Sequence, residues 1–263
     1  MTDVLVLGYH GVSETWPSPL AVSTRDLDRH LRLLAARGYR GATFTEAVLA
    51  PPATRTVALT FDDAYRSVYE LAHPILQRRG FPGTVFAVSA FAGREGPMSW
   101  PGIDHWLAGP HEPELVPMSW EQLGRLADTG WEIGSHTRTH PPLTQLDDEA
   151  VAEELIGSRH DCEQRLERRC EALAYPYGDH DSRVVEAARE AGYVAACALP
   201  AALYRPAPLR WPRIGVYRTD RGARFRLKLS PTVRWLRASR AWHPVVAWQN
   251  RQRRRPAGID CTR

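Results

Sequence analysis

The sequence predicts an α/β protein, a distorted (β/α) barrel of about seven parallel strands. Strand and helix patterns alternate along most of the chain, which is typical of parallel strands joined by crossover helices. In addition, residues with catalytic or metal-binding chemistry follow several different predicted strands: His10, Asp62, Asp63, His136 and Tyr177. A barrel gathers all its carboxyl strand ends at one mouth, whereas an open sheet does so mainly at its switch point, so we favour the barrel.

The individual elements follow from local patterns. Short apolar runs predict strands at 4–8, 57–61, 83–89, 131–135, 171–175, 193–199 and 211–217. Amphipathic segments predict helices at 23–38, 65–80, 119–130, 147–169 and 182–192. Ser23 or Thr24 is expected to cap the first helix, and Gly38 to end it. Residues 92–118 are rich in Gly, Pro, Trp and His without a period, which indicates a long loop or lid.

Charge divides the chain into two parts. Residues 221–263 hold 12 Arg or Lys and one Asp, whereas the rest holds 22 basic and 29 acidic residues. We therefore expect a catalytic domain at 1–220 and a basic, partly helical tail at 221–263. Trp235, Ala238 and Trp242 share one helical face of the tail among arginines, a pattern that fits peripheral contact with an anionic membrane. Packing of these residues on the barrel, or a solvated Arg-rich end, is the alternative.

Composition also limits location and partners. The start of the chain has no basic region and only a short apolar run, and no stretch is long enough to span a membrane. The expected location is therefore the cytoplasm, with the inner face of the membrane as the site of any tail contact. No helix-turn-helix, zinc knuckle or aromatic-basic sheet motif appears, so no nucleic-acid partner is expected. The four cysteines lack paired spacing and are expected to be free thiols.

A metal site is indicated by two pairs of residues. Asp62 and Asp63 end a buried strand side by side, where two negative charges require a compensating cation. His136 and His140 are four residues apart after another strand, a spacing at which both can bind one ion. One carboxylate with two histidines leaves an open tetrahedral position, typical of a catalytic zinc site. The second aspartate can then act as a base towards water.

Four short motifs carry a resemblance to a known family. "TFDDAY" (60–65), "SHTRTH" (135–140) and "AYPYG" (174–178) resemble the first three motifs of the NodB-like polysaccharide deacetylases, carbohydrate esterase family 4. Their order matches that of the family. "GYHGV" (8–12) is similar to the N-terminal motif of the branch that deacetylates biofilm poly-N-acetylglucosamine. The resemblance extends over most of residues 4–217 and implies a metal-dependent hydrolase with the barrel fold of this family.

The resemblance also implies roles for particular residues. Asp62 would be the general base, and Asp63, His136 and His140 would hold a divalent metal. Zinc is the expected ion, and Co²⁺, Ni²⁺, Mn²⁺ and Fe²⁺ are the alternatives.

Two further roles concern the intermediate and the leaving group. The backbone N–H of Tyr177 would stabilise the oxyanion, and His10 would be the general acid that protonates the leaving amine. That step calls for a group that titrates near neutrality. Many members of the family carry an arginine at the position of Ala174, where it orients the base. Arg213, in a late strand, is our candidate for the missing positive charge beside Asp62.

The expected function is removal of the N-acetyl group from N-acetylhexosamine units of a polysaccharide or a lipid-linked glycan intermediate, with release of acetate. Two alternatives stay open. One is a hydrolase of the same fold that acts on a non-sugar amide or an acetyl ester, since fold and metal do not fix the substrate. The other is a non-catalytic glycan-binding scaffold, in which the change at Ala174 marks lost activity.

Overall fold

The protein is described here by a computed structural model that covers residues 3–200 and 202–239. The predictions for Trp242, for the last arginines and for Cys261 lie outside these residues. The strands are β1 Asp3–Tyr9, β2 Arg40–Ala42, β3 Arg55–Phe61, β4 Thr84–Ala87, β5 Glu132–Ser135, β6 Ala172–Ala174, β7 Ala195–Ala198, β8 Trp211–Pro212 and β9 Ile214–Gly215. The α-helices are α1 Thr24–Ala36, α2 Phe44–Leu49, α3 His73–Arg79, α4 Trp120–Asp128, α5 Asp148–Leu166, α6 Ser182–Glu190, α7 Gly222–Lys228 and α8 Pro231–Ala238.

The strands form one parallel sheet that closes on itself. Its order is β8-β7-β6-β5-β4-β3-β1-β9, and β2 pairs only with β3. β8 pairs with β7 and β9 pairs with β1, yet a single residue, Arg213, separates β8 from β9. Segment 211–215 therefore closes the ring, which confirms the predicted barrel. β8 and β9 are the two halves of the strand that closes the ring, so the ring has seven strands. β2 lies beside β3 outside the ring and brings the sheet to eight strands, against the expected seven or so.

Three local predictions differ from the structure. β2 and α2 were not predicted from the sequence, although Thr43 caps α2 by accepting a hydrogen bond from the N–H of Glu46. The helix predicted at 65–80 starts with a π-helical turn, Val68–Ala72, before α3. Pro74 lies just after this turn and has no N–H to donate to a regular helical ladder. The single strand predicted at 211–217 is divided between the two edges that it joins.

The helices cover the barrel as their patterns predicted. Ser23 caps α1 by accepting from the N–H of Asp26, and Leu27, Leu31 and Leu34 on this helix are fully buried. No helix of the described chain is long and apolar enough to cross a membrane. The described cysteines, Cys162, Cys170 and Cys197, are buried free thiols.

The region after residue 220 begins as part of the packed structure. Phe225 and Leu229 are each 1% exposed and belong to the main core. Trp235 on α8 is instead 71% exposed, so it does not pack on the barrel. The division of the chain into 1–220 and 221–263 stays a prediction, but α7 is anchored by the same core as the strands.

Candidate active site

The predicted site residues meet in one pocket at the carboxyl ends of the strands. β1 ends at Tyr9, β3 at Phe61 and β5 at Ser135, so the next residues, His10, Asp62 and His136, all emerge at the same mouth. The pocket has a volume of about 480 Å³. It is lined by, among others, His10, Asp62, Asp63, His136, His140 and Tyr177.

Asp62 is paired with a buried guanidinium from the segment that closes the barrel. Arg213 donates to both of its carboxylate oxygens, at 2.6 Å to Oδ1 and 2.7 Å to Oδ2. Burial alone would raise the pKa of Asp62, but the charge and hydrogen bonds of Arg213 outweigh it and hold this pKa below its usual range. Asp62 is therefore ionised at neutral pH and fixed in orientation.

The alanine at position 174 is explained by the same arginine. Ala174 is fully buried in a cluster that includes Phe86. The guanidinium of Arg213 lies over the Phe86 ring, 5.5 Å from its centroid. Arg213 brings to Asp62 the positive charge that Ala174 cannot supply.

Within residues 3–200 and 202–239, Asp63 has no such Arg or Lys partner. Burial and the neighbouring charge of Asp62 raise the pKa of Asp63 well above its ordinary value. Among the residues that the structure describes, none is hydrogen-bonded to its Oδ1 atom. The Nε2 atoms of His136 and His140 lie 3.4 Å and 3.6 Å from this oxygen. A buried carboxylate oxygen that faces two imidazole nitrogens fits a bound cation.

The two histidines are set up as metal ligands. Nδ1 of His136 lies 2.7 Å from the carbonyl oxygen of Ala174, which can only accept, so Nδ1 carries the proton and Nε2 keeps its lone pair. Burial lowers the pKa of His136, and burial together with the neighbouring His136 lowers that of His140. Both rings are thus neutral at pH 7. One ligand atom from each of Asp63, His136 and His140 lies within 4.8 Å of the others, so the three residues could hold one metal ion.

His10 lies on the other side of Asp62. Its Nε2 is 3.9 Å from Oδ2 of Asp62, too far for a hydrogen bond but close enough to receive a proton after a small shift. Burial lowers the pKa of His10 to about 4, against the opposing effect of the Asp62 charge. The expectation of a group that titrates near neutrality is therefore not met in this environment, where His10 is neutral at pH 7.

Tyr177 occupies a tight turn beside the metal ligands. It has a left-handed backbone with φ of 57°, and its hydroxyl donates to the carbonyl oxygen of Pro101. Its ring meets that of His140 edge-on, with centroids 4.6 Å apart. The turn therefore brings Tyr177 to the wall of the pocket. The sequence resemblance predicts a role for its backbone N–H at this place.

The sequence analysis missed Trp100 as a residue of the site. The Trp100 ring stacks on that of His140, with centroids 4.4 Å apart, and is 7% exposed. It comes from the predicted loop 92–118, which lies against the mouth of the barrel with Met98, Ile103 and Leu115 in the core. No spacing rule links a tryptophan in an aperiodic loop to a histidine 40 residues later, so only the loop's composition pointed to it.

Comparison with known proteins assigns the family. The chain belongs to the polysaccharide deacetylase family, whose model matches residues 50–196. Members of this family, the NodB or carbohydrate esterase family 4 domains, are generally dependent on a divalent metal. The matched segment contains the Asp62–Asp63 pair, both histidines and the turn at Tyr177, and the fold and the grouping of these residues agree with the assignment.

Individual relatives are similar over different lengths. The chain is 26% identical over 193 residues to YxkH of Bacillus subtilis (strain 168), by its name a polysaccharide deacetylase. The matched region covers 72% of this chain and 61% of that protein. It is 25% identical over 133 residues to the poly-β-1,6-N-acetyl-D-glucosamine N-deacetylase of Staphylococcus aureus (strain MSSA476), covering 47% of this chain and 41% of that one. The chain thus spans less than two thirds of the first of these curated relatives and less than half of the second.

A solved structure supports the fold. The Streptococcus pyogenes deacetylase PplD, determined in complex with acetate, superposes with a TM-score of 0.72 at 19% identity, over 88% of this chain and 99% of that one. The likeness confirms the family's barrel.

Proposed function

We propose that this protein is a metal-dependent hydrolase that removes the N-acetyl group from N-acetylhexosamine units of a polysaccharide or a lipid-linked glycan intermediate and releases acetate. The observation that carries the proposal is the contrast between two adjacent carboxylates. Asp62 is neutralised by Arg213, whereas Asp63 faces two neutral imidazoles. The name of the S. aureus relative supports an N-acetylglucosamine polymer as the substrate class.

The proposed metal ligands are Asp63, His136 and His140, and zinc is the proposed ion because nitrogen and carboxylate donors with an open position suit it. Co²⁺, Ni²⁺, Mn²⁺ and Fe²⁺ are alternatives that share these donors. When bound, the ion lowers the pKa of water and polarises the acetyl carbonyl. Asp62, ionised and held by Arg213, takes the proton from the attacking water.

The remaining residues act on the intermediate and on the leaving group. The backbone N–H of Tyr177 donates a hydrogen bond to the oxyanion. The C–O bond to water forms, the C–N bond breaks, and the water's proton ends on the leaving amine. Since His10 is neutral at pH 7, the proton that it donates is the one that Asp62 received, passed across the 3.9 Å between Asp62 Oδ2 and His10 Nε2.

The location is part of the proposal. The reaction would take place in the cytoplasm, where lipid-linked glycan intermediates lie at the inner face of the membrane. The buried free thiols Cys162, Cys170 and Cys197 support a reducing compartment. Fractionation of cells that express the chain would test this, and recovery outside the cytoplasm and its membrane would contradict it.

The experiment that tests the activity is acetate release from N-acetylglucosamine oligomers and from a small acetyl ester, with zinc or cobalt added. Asp62→Asn is the test variant, and Asp28→Asn, on α1 and outside the pocket, is the matched control. Release that requires both metal and Asp62 supports the proposal. Release from the ester or a non-sugar amide alone favours the first alternative. No release by a folded, metal-loaded protein favours the non-catalytic scaffold.

A further inference from the structure

The two C-terminal helices of the described chain leave large apolar side chains in solvent. Leu227 on α7 is 61% exposed, and Trp235 and Leu236 on α8 are 71% and 37% exposed. Phe225 on α7 and Leu229 directly after this helix are buried in the core and anchor the segment, so the outward side chains are not needed for anchoring. Tryptophan is highly buried on average, and Trp235 is the most exposed of the large hydrophobic residues in the described chain.

The same segment is uniformly basic. Residues 221–239 contain five arginines and one lysine and no acidic residue. Lys228 and Arg234 are paired with Asp220 and Asp3. Arg221 and Arg224 also reach aspartates, yet their side chains stay 64% exposed and present positive charge to solvent. The surface that carries Leu227 and Trp235 is therefore positive in an otherwise acidic protein.

A groove beside α7 combines the same two features. It has a volume of about 480 Å³ and lies between α1 and α7. Leu33, Ala36 and Phe225 supply apolar lining, while Arg29, Arg32 and Arg226 are the basic residues that line it. Arg29 and Arg32 pair with Asp26 and Asp28 of α1, yet their side chains stay 50% and 63% exposed. An apolar groove bordered by guanidinium groups fits a ligand with a negative headgroup and a hydrocarbon part.

We propose that α7, α8 and this groove form a docking surface for an anionic lipid bilayer. We define the docking surface by Arg29, Arg32, Arg226, Leu227, Trp235 and Leu236. A tryptophan and leucines that project among arginines suit the membrane interface, where the rings and aliphatic chains enter the headgroup region and the arginines meet lipid phosphates. A nucleic acid would satisfy the arginines but would leave the exposed leucines in water.

The docking surface adjoins the pocket of the active site. Nζ of Lys228, on α7, donates to the carbonyl oxygen of Gly215 and lies 5.2 Å from the centroid of the Tyr217 ring. Tyr217 lines the pocket. Binding of α7 to a bilayer would therefore hold the pocket near the lipid surface. The inference goes beyond the proposed activity and does not require it, because binding is measured without substrate.

The test is co-sedimentation of the full chain with vesicles of phosphatidylcholine alone and with vesicles that contain one third phosphatidylglycerol. We expect binding to the anionic vesicles only, weakened by salt. Arg226→Glu and the double variant Leu227→Ala/Trp235→Ala should each weaken it. Because Arg226→Glu changes the charge near the anionic surface by two, we expect at least about a tenfold loss of binding.

Matched controls come from α5, on another face of the barrel. Arg165→Glu has the same charge change, and Ile156→Ala removes a side chain that is 54% exposed. Thermal unfolding of each variant shows that the fold is intact. The proposal is overturned if neutral vesicles bind equally well, if the α7 and α8 variants bind no worse than the α5 controls, or if the chain binds duplex DNA and not anionic vesicles.

Discussion

Replacement of Arg213 by methionine would remove the guanidinium that neutralises buried Asp62. Two charge-assisted hydrogen bonds, of 2.6 Å and 2.7 Å, are lost. At about 1.5–3 kcal/mol each, they account for about 3–6 kcal/mol. This agrees with the ~3–5 kcal/mol that is typical when one partner of a buried ion pair is removed. Because domains of this kind are stable by only ~5–15 kcal/mol, we expect Arg213→Met to lose a large part of its free energy of unfolding.

The loss should depend on pH in a defined direction. In the native protein the pKa of Asp62 is lowered from 3.8, so its contribution to stability is present above that pH and is lost as the pH falls through the native value. In Arg213→Met, burial raises the pKa of Asp62 instead, and the variant loses stability as the pH rises through that raised value. The difference in free energy of unfolding is therefore largest at neutral pH and shrinks as the pH falls towards 4.

The measurement is urea unfolding followed by tryptophan fluorescence, with a chelator present so that no metal charge compensates Asp62. Arg213→Lys keeps a positive charge without the two-pronged geometry and should lie between the native protein and Arg213→Met. The double variant Arg213→Met/Asp62→Asn removes both charges and should recover most of the loss. A loss that does not vary with pH, or a double variant no more stable than Arg213→Met, would refute the reasoning.

Three further predictions concern the pocket. Asp63→Ala should lose bound metal on dialysis. In chelator, the variant should be at least as stable as the metal-free native protein, because an uncompensated buried carboxyl is removed. A lower stability of the variant in chelator would contradict this. In the metal-free native protein, His10 should account for a loss of stability on the order of 2–3 kcal/mol as the pH falls from 6.5 to 4, because it resists protonation with a pKa of about 4. His10→Gln should lower the slope by this amount in urea titrations and leave the part contributed by His136 and His140, whose pKa values are also lowered by burial. An unchanged slope would contradict this. Trp100→Ala removes the ring that stacks on His140, with ring centroids 4.4 Å apart. We expect a loss of about 3–5 kcal/mol in the free energy of unfolding, and a weaker metal affinity when the protein competes with a chelator. Unchanged metal affinity would limit Trp100 to a packing role.

The sequence predicted the barrel and the meeting of its motifs because both depend on local patterns. Apolar runs locate the strands, and in a parallel barrel the residue after each strand must lie at the same mouth. That rule alone brings His10, Asp62 and His136 together, although they are far apart along the chain. The catalytic roles of these residues stay predictions until activity is measured.

What the sequence could not show depends on contacts between distant segments. The sequence named Arg213 as a candidate partner of Asp62, but not the reason why it reaches this residue. Segment 211–215 is shared between β7 and β1, and a single-strand interpretation of 211–217 hides this arrangement. The lowered pKa of His10 is another such case, because burial depends on the whole wall of the pocket and not on the motif around the residue. The short elements β2 and α2 have too few residues for a periodic pattern to form.

The backbone around the site adds a cost that the choice of residues does not reveal. Asp63, Thr137, His140 and Tyr177 all have left-handed conformations, with φ between 57° and 69°. For residues other than glycine this costs roughly 1–2 kcal/mol each. Asp63 and His140 are proposed metal ligands, so glycine at either position would relieve the strain but remove the ligand. Glycine at position 177 would keep the backbone N–H that is the proposed oxyanion donor, and it would lose the ring that meets His140 and the hydroxyl that donates to Pro101. The buried strands on which these loops end must therefore offset the strain, and a bound cation among Asp63, His136 and His140 would offset part of it.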